Sequence, residues 1–246
     1  EYIGLQNYRD MLNDRLFWIS IKNTAYFTII GVPLGLFLAL TLALLLNAKV
    51  RGQSLFRTIF FLPTMVPFVA SSVLWLWLLN PQYGIFNLIL GWFGIEPIGW
   101  LVDPKWSKPS LIIMGLWGVG GSMVIFLAAL QDVPQTLYEA ADIDGAGYGW
   151  KLWHIIIPTI SPITMYLCLV GIIGSLQYFT QPLIMTAGGP VNSTLVYALN
   201  LFIEAFMNFR MGYASALAWV LFIISVGISL LIMKASRRMV HYGEEQ

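Results

Sequence analysis

The chain has 246 residues, 58% hydrophobic and only 10% charged, with a net charge of +1 and one cysteine. Soluble domains carry about 25% charged residues, so this composition and its long apolar runs point to a bilayer protein. The small net charge leaves no footprint for nucleic acid, and a lone Cys168 excludes an internal disulfide.

A bilayer core of about 30 Å takes roughly 20 apolar residues as helix. No charge stands between Lys22 and Lys49, and residues 23–46 read as a first span. The uncharged run from Arg57 to Glu96 is too long for one helix. The turn cluster NPQYG at 80–84 divides it and leaves a second span at 59–79. Lys108 and Asp132 bracket a third, at 110–130, and two more follow at 161–179 and 213–233. Pro63, Pro67 and Pro162 fall near span ends, where freed carbonyls find water or neighbouring helices. Between spans, the apolar stretch 85–95 and the helically spaced Leu195, Leu199, Phe202, Phe206 and Phe209 read as outer interfacial helices.

The expected fold is therefore an all-α membrane protein, a polytopic helical bundle with five spanning helices. Residues 1–22 form an outer N-terminal segment, 23–233 the transmembrane domain and 234–246 a cytoplasmic tail. Orientation follows the basic residues near span ends. The 47–58 loop holds Lys49, Arg51 and Arg57 with no acid, and the tail holds Lys234, Arg237 and Arg238. An odd number of spans puts both on one side, the cytoplasm, together with the 131–158 loop. Arg9, Arg15 and Lys22 oppose this assignment, and a missing earlier span would reconcile them. The chain opens at Glu1 rather than Met, which fits such a loss.

The spans hold no Asp, Glu, Lys, Arg or His. Proton-coupled carriers place such groups inside the bundle, so a proton relay is not expected; backbone-coordinated sodium stays open. No G-x-x-x-x-G-K-[ST] phosphate cradle and no HExxH motif occur, and His154 and His241 lie far apart with no metal-ligand partner in sequence. If this protein moves a solute uphill, the energy enters from a partner.

The 131–158 loop carries the most information. Residues 135–144 read as a short helix opened by Pro134, with small Ala140 and Ala141 on it and Gly145 as a left-handed cap. A second helix begins near Gly149, with Trp150, Trp153 and Ile157 on one face, and Pro158 ends the loop. A short helix of small residues can approach another surface closely. Glu139 and Asp142 share a face and could pair with basic groups on a partner. The plain alternative is a solvated loop helix. A rival assignment takes Asp142 and Asp144 as the metal-binding pair of a membrane-embedded glycosyl- or lipid-modifying enzyme. Helical residues two apart point well away from each other, and no catalytic base accompanies the pair. A stand-alone channel or secondary carrier is a third class.

The stretch EAADIDGAGYGWKLWHIIIP resembles the EAA loop of permease subunits in binding-protein-dependent ABC importers. That signature is Glu-Ala-Ala, a glycine after three residues, and Ile-x-Leu-Pro after nine more. Glu139-Ala140-Ala141, Gly145 and Ile155-Ile156-Ile157-Pro158 match it, with Ile157 in place of leucine. GLQNYRDML (4–12), LFRTIFFLPTMVP (55–67), LNPQYGIFN (79–87), TAGGP (186–190) and GYASALAW (212–219) look like the carbohydrate-uptake branch, and the tail looks like its first permease type.

The resemblance implies a non-catalytic subunit of a bacterial or archaeal cytoplasmic (inner) membrane, multi-pass, that imports a sugar-type solute. It implies a second permease, two ATPase subunits that bind ATP and Mg, and an extracytoplasmic solute-binding protein. It places Glu139, Ala140, Ala141, Asp142, Gly145 and Pro158 at the ATPase contact. A further N-terminal span usually precedes GLQNYRDML in that type, a sixth helix missing here. Alignment with the family's substrate-lining segments points to Thr64, Phe68, Gly118, Ser122, Gly171, Ser175, Gln177 and Tyr178. Gln177 stands out, because an amide inside an apolar run is costly without a partner. Trp75, Trp77 and Trp117 could stack on a sugar, although tryptophan near a span end more often marks the interface. No cofactor or metal is expected in the chain itself.

Overall fold

A computed structural model describes residues 3–48 and 52–239. Lys49 and Arg51 of the basic loop and the tail from residue 240, including His241, lie outside the described residues. Among those described, the chain forms thirteen helices and no strand.

α1 is Gln6–Asn13. Asp14 then accepts a hydrogen bond from the Leu16 amide at 2.8 Å and caps α2. α2 runs unbroken over Arg15–Asn47, 33 residues, so it starts eight positions before the expected span and takes in Arg15 and Lys22. A wide turn at Phe27–Gly31 relaxes it just ahead of Pro33, which has no N–H for the ladder. α3 (Gln53–Met65) and α4 (Phe68–Leu78) are one expected span broken in two, meeting at 101°. Pro67 forces Val66 into extended backbone, ψ 125°, and the helix cannot pass it.

α5 (Ile85–Trp92) belongs to a stapled outer hairpin. Its buried Asn87 donates to the carbonyls of Pro81 and Ile98 and accepts from the Ile98 amide and the Trp100 indole. α6 (Pro104–Trp117) and α7 (Gly120–Gln131) are again one expected span, bent by 49° at Gly118 and Val119. α8 (Gln135–Ile143) and α9 (Tyr148–Thr159) form the following loop, and α9 meets α10 (Ser161–Leu176) at 64°. α11 (Thr180–Thr186) and α12 (Tyr197–Met207) precede the final α13 (Met211–Met239). Among the described residues two helices, Arg15–Asn47 and Met211–Ala235, are long and apolar enough to cross a membrane, and up to five if each bent pair counts as one span.

Three apolar clusters hold the bundle. Ala39 and Ala43 of α2 meet Met123, Phe126 and Leu127 of α7, small against large, which lets the helix axes close in. Phe27, Trp75, Leu111 and Leu199 form a second cluster. Met11, Phe17, Tyr197 and Leu217 join α1 and α2 to α12 and α13. Polar ties set the register of the outer loop. Asn23 of α2 donates to the carbonyls of Asn192 and Leu195, and the Tyr197 amide donates to Thr24.

Candidate functional site: a capped docking helix and a cavity at two broken helices

The 131–158 loop folds as a rigid knob. α8 leaves Pro134 in extended backbone, ψ 128°, and runs to Ile143. Gly145 then takes φ +71°, a left-handed conformation that costs an L side chain. Its amide donates to the Asp142 carbonyl at 3.1 Å, and the Ala146 amide reaches back to Ala141 at 2.8 Å. This bond pair is a complete Schellman cap, so the end of α8 is locked rather than frayed.

Ala141 is the inward residue of α8, 5% exposed, packed with Leu130, Val133, Ile155, Ile156 and Ile160. Leu137, Ala140 and Ile143, three apart and all exposed, sweep from the flank of the Ala141 contact round to the far side of α8, with Glu139 also exposed. Ile143 is 87% exposed, an unusual position for isoleucine. Asp142, expected to face a basic partner, instead forms a salt bridge with Lys151 of this chain. Lys151 extends from α9 just past the glycine turn, which brings the pair together and cross-braces the knob.

α9 starts at Tyr148, and a wide turn at Leu152–Ile156 shifts its register. The Trp150 ring stacks on His154 one turn further on, centroids 4.6 Å apart. Pro158 sits in the last turn of α9, ahead of the 64° bend at Ile160. It removes one ladder donor and weakens the helix there. Burial pushes the Tyr138 phenol up from its ordinary value, with the nearby Tyr148 adding to the shift.

The substrate-path residues separate into groups. Thr64, Phe68, Gly118 and Tyr178 converge on a cavity of about 140 Å³, joined by Trp117 and Gln181. The cavity lies where the α3–α4 break faces the α6–α7 break, and Tyr178 and Gln181 close it from the far side. Ser175 lines a second, more apolar cavity of about 220 Å³ with Phe27, Gly31 and Tyr178, and its hydroxyl is 2.8 Å from that of Thr28. Gly171 is a packing position, since a Cβ there would lie 3.0 Å from a Val32 methyl.

Ser122 lines neither cavity. Gln177, expected inside the fourth span, lies one residue past α10 as its cap and is exposed. α10 stops at Leu176 because the chain turns there into α11. Two residues escaped the sequence reading. Gln181 follows the expected end of the span, so no apolar window contained it. Gly120 lets α7 approach α3 so closely that a Cβ would sit 2.1 Å from the Phe60 carbonyl oxygen. Only the GVGG run hinted at such a contact.

Asp142 and Asp144 form no ligand set. Among the described residues no three His, Cys, Asp or Glu side chains converge, and Asp142 is engaged by Lys151.

The family described as "Binding-protein-dependent transport system inner membrane component" matches residues 31–240. The chain is 37% identical over 251 residues to the "Probable ABC transporter permease protein YesP" of Bacillus subtilis (strain 168), covering 100% of this chain and 81% of that protein. It is 36% identical over 246 residues to the "Lactose transport system permease protein LacF" of Rhizobium radiobacter, covering 96% and 82%. Its fold matches a chain from the crystal structure of a "bacterial alginate ABC transporter in complex with alginate pentasaccharide-bound periplasmic protein", with TM-score 0.89, 25% identity and coverage of 96% and 84%. With the family match running through the knob and the cavity alike, this chain belongs to the inner membrane components of binding-protein-dependent transport systems, the non-catalytic permease subunits of ABC transporters.

Proposed function

We propose that this chain lines the translocation path for a sugar or sugar-like solute together with a second permease, and that it receives mechanical work through α8. The observation that carries the proposal is the Schellman-capped α8, clamped inward by Ala141 and presenting Leu137, Ala140 and Ile143 outward. A short helix fixed to the core through Ala141, with Leu137, Ala140 and Ile143 exposed around it, suits a cleft on a partner protein. In this role Glu139, Ala140, Ala141, Asp142 and Gly145 make or hold the contact, and Pro158 lies where its motion enters the bundle.

The partners follow from the same reading: two ATPase subunits that bind ATP and Mg in the cytoplasm, and a solute-binding protein outside. The relative named for lactose transport and the alginate transporter with its periplasmic protein support a saccharide solute. Five spans in a bacterial or archaeal inner membrane, with the 131–158 loop and the tail inside, complete the assignment. ATP-driven closure of the ATPases would rock α9 and α10 about the Ile160 bend and reach the cavity.

Affinity purification of this chain after co-expression with candidate ATPase and permease subunits tests the assembly. The full complex is expected to co-purify, and deleting residues 135–145 is expected to release the ATPases while the second permease stays bound. Retention of the ATPases by the deleted chain would overturn the docking assignment.

A further inference from the structure

The backbone between α8 and α9 does not by itself fix the angle between them. It holds Gly145, Gly147 and Gly149, and at none of the three would a Cβ meet a neighbouring atom within 4 Å. Glycine turns freely where nothing packs against it. The backbone bonds stop on either side of this link. The Gly145 and Ala146 amides bond back to Asp142 and Ala141, and the Lys151 amide bonds back to Gly147 at 3.1 Å. Packing adds little, because α8 buries only Ala141, in the cluster that holds Ile155 and Ile156. One methyl group leaves a helix free to turn about it.

Among the described residues a single side-chain bond crosses the link: Lys151 Nζ donates to Asp142 Oδ1. The loop carries four carboxylates, Asp132, Glu139, Asp142 and Asp144, and Lys151 takes Asp142 alone. Lys151 is the better-held partner, its side chain 15% exposed against 67% for Asp142. An ion pair with one exposed partner adds little to stability. This pair closes the soft link between two helices, so its effect falls on their angle rather than on the fold. Lys151 also ends the first turn of α9, which continues through the wide turn at Leu152–Ile156 to Pro158 and the 64° bend into α10. A push on α8 therefore has two outlets: through the ion pair into α9, or into rotation of the glycine backbone.

We propose that the Asp142–Lys151 pair is a positioning contact that makes α8 and α9 one lever, so that movement of α8 reaches α10 instead of being absorbed in the glycine turn. The proposal rests on the ATPase-docking reading above and adds to it the two residues that set how much of the movement is passed on.

Hydrogen exchange, read by mass spectrometry on the complete importer in lipid nanodiscs, tests it. The nucleotide-free complex is compared with the complex trapped by Mg, ATP and vanadate. In the unsubstituted complex, trapping is expected to change exchange in residues 135–146 and in residues 148–160. In Lys151→Ala the change in 135–146 is expected to stay, while that in 148–160 falls about two- to fivefold, the weight of a pair with one exposed partner. Lys151→Arg keeps the charge and is expected to keep the response. Asp142→Asn is expected to match the loss in 148–160, and the double variant to add nothing to either single one. A full response of 148–160 in both Lys151→Ala and Asp142→Asn overturns the lever, as do losses that add in the double variant. If Lys151→Ala does not assemble, Lys151→Gln is measured in its place under the same outcomes. No change in 135–146 of the unsubstituted complex overturns the docking reading and the lever with it. A change there that never reaches 148–160 overturns the lever alone.

Discussion

Two residues show how much a single position can carry. Gly145 holds φ +71° with nothing within 4 Å of where a Cβ would lie, so its constraint is conformational rather than steric. Gly145→Val should cost about 1–2 kcal/mol locally through left-handed strain and unlock the end of α8. Uptake is expected to be lost in that variant while the partner ATPase still binds ATP; full solute-stimulated ATPase activity with normal uptake would refute the coupling role. Glu204 is the second case, a carboxylate only 4% exposed near the start of α13. It accepts from Asn208 at 3.1 Å and Arg210 at 3.2 Å, while the Arg210 amide donates to its carbonyl. Arg210 also lies over the Tyr213 ring, whose hydroxyl donates to Asp14. Glu204→Ala should lower stability by about 2 kcal/mol, because a half-exposed arginine loses its partner, whereas Glu204→Gln keeps most of it. Thermal unfolding in detergent reads the difference, and equal midpoints for Ala and parent would contradict it. The glycine was legible in sequence from the motif around it. The Glu204 cluster was not, since Asp14 and Tyr213 are brought together only by the fold.

At the scale of elements, the breaks matter more than the helices. Apolar runs mark where helices form but say nothing of a 101° bend at Val66 and Pro67 or a 49° bend at Gly118 and Val119. Proline explains the first, because the residue before it is driven out of helical backbone. The second depends on Gly120, which admits the Phe60 carbonyl against the start of α7. Gly120→Leu should push α3 from α7 and destabilise the protein by about 3 kcal/mol. Gly121→Ala, with open space around it, should change stability by less than about 0.5 kcal/mol. Matching melting temperatures for the two variants would show that the close approach is unimportant. Both glycines look alike in sequence; only the neighbouring helix tells them apart.

For the whole molecule, the orientation is the open quantity that one experiment decides. The lone Cys168 makes cysteine labelling clean once it is replaced. In a Cys168→Ser background, Val191→Cys is expected to react with a membrane-impermeant maleimide on intact cells, and Tyr148→Cys only in inside-out vesicles. Both positions are exposed and lie in the two loops assigned to opposite sides. The reverse labelling pattern would invert the topology and remove α8 from the cytoplasm.

By itself the sequence determined what local chemistry can encode: an apolar, all-helical membrane chain and a short loop helix with small residues and a capping glycine. These features repeat along the chain or sit within about twenty residues of each other, so composition, spacing and backbone preference suffice. The tertiary structure alone decided that Asp142 turns to Lys151, that Gly171 packs on Val32, and that Thr64, Phe68, Gly118, Tyr178 and Gln181 share one space. Those residues are up to 117 positions apart, from Thr64 to Gln181. Their meeting depends on how bent helices pack, a property of the whole bundle that no local pattern records.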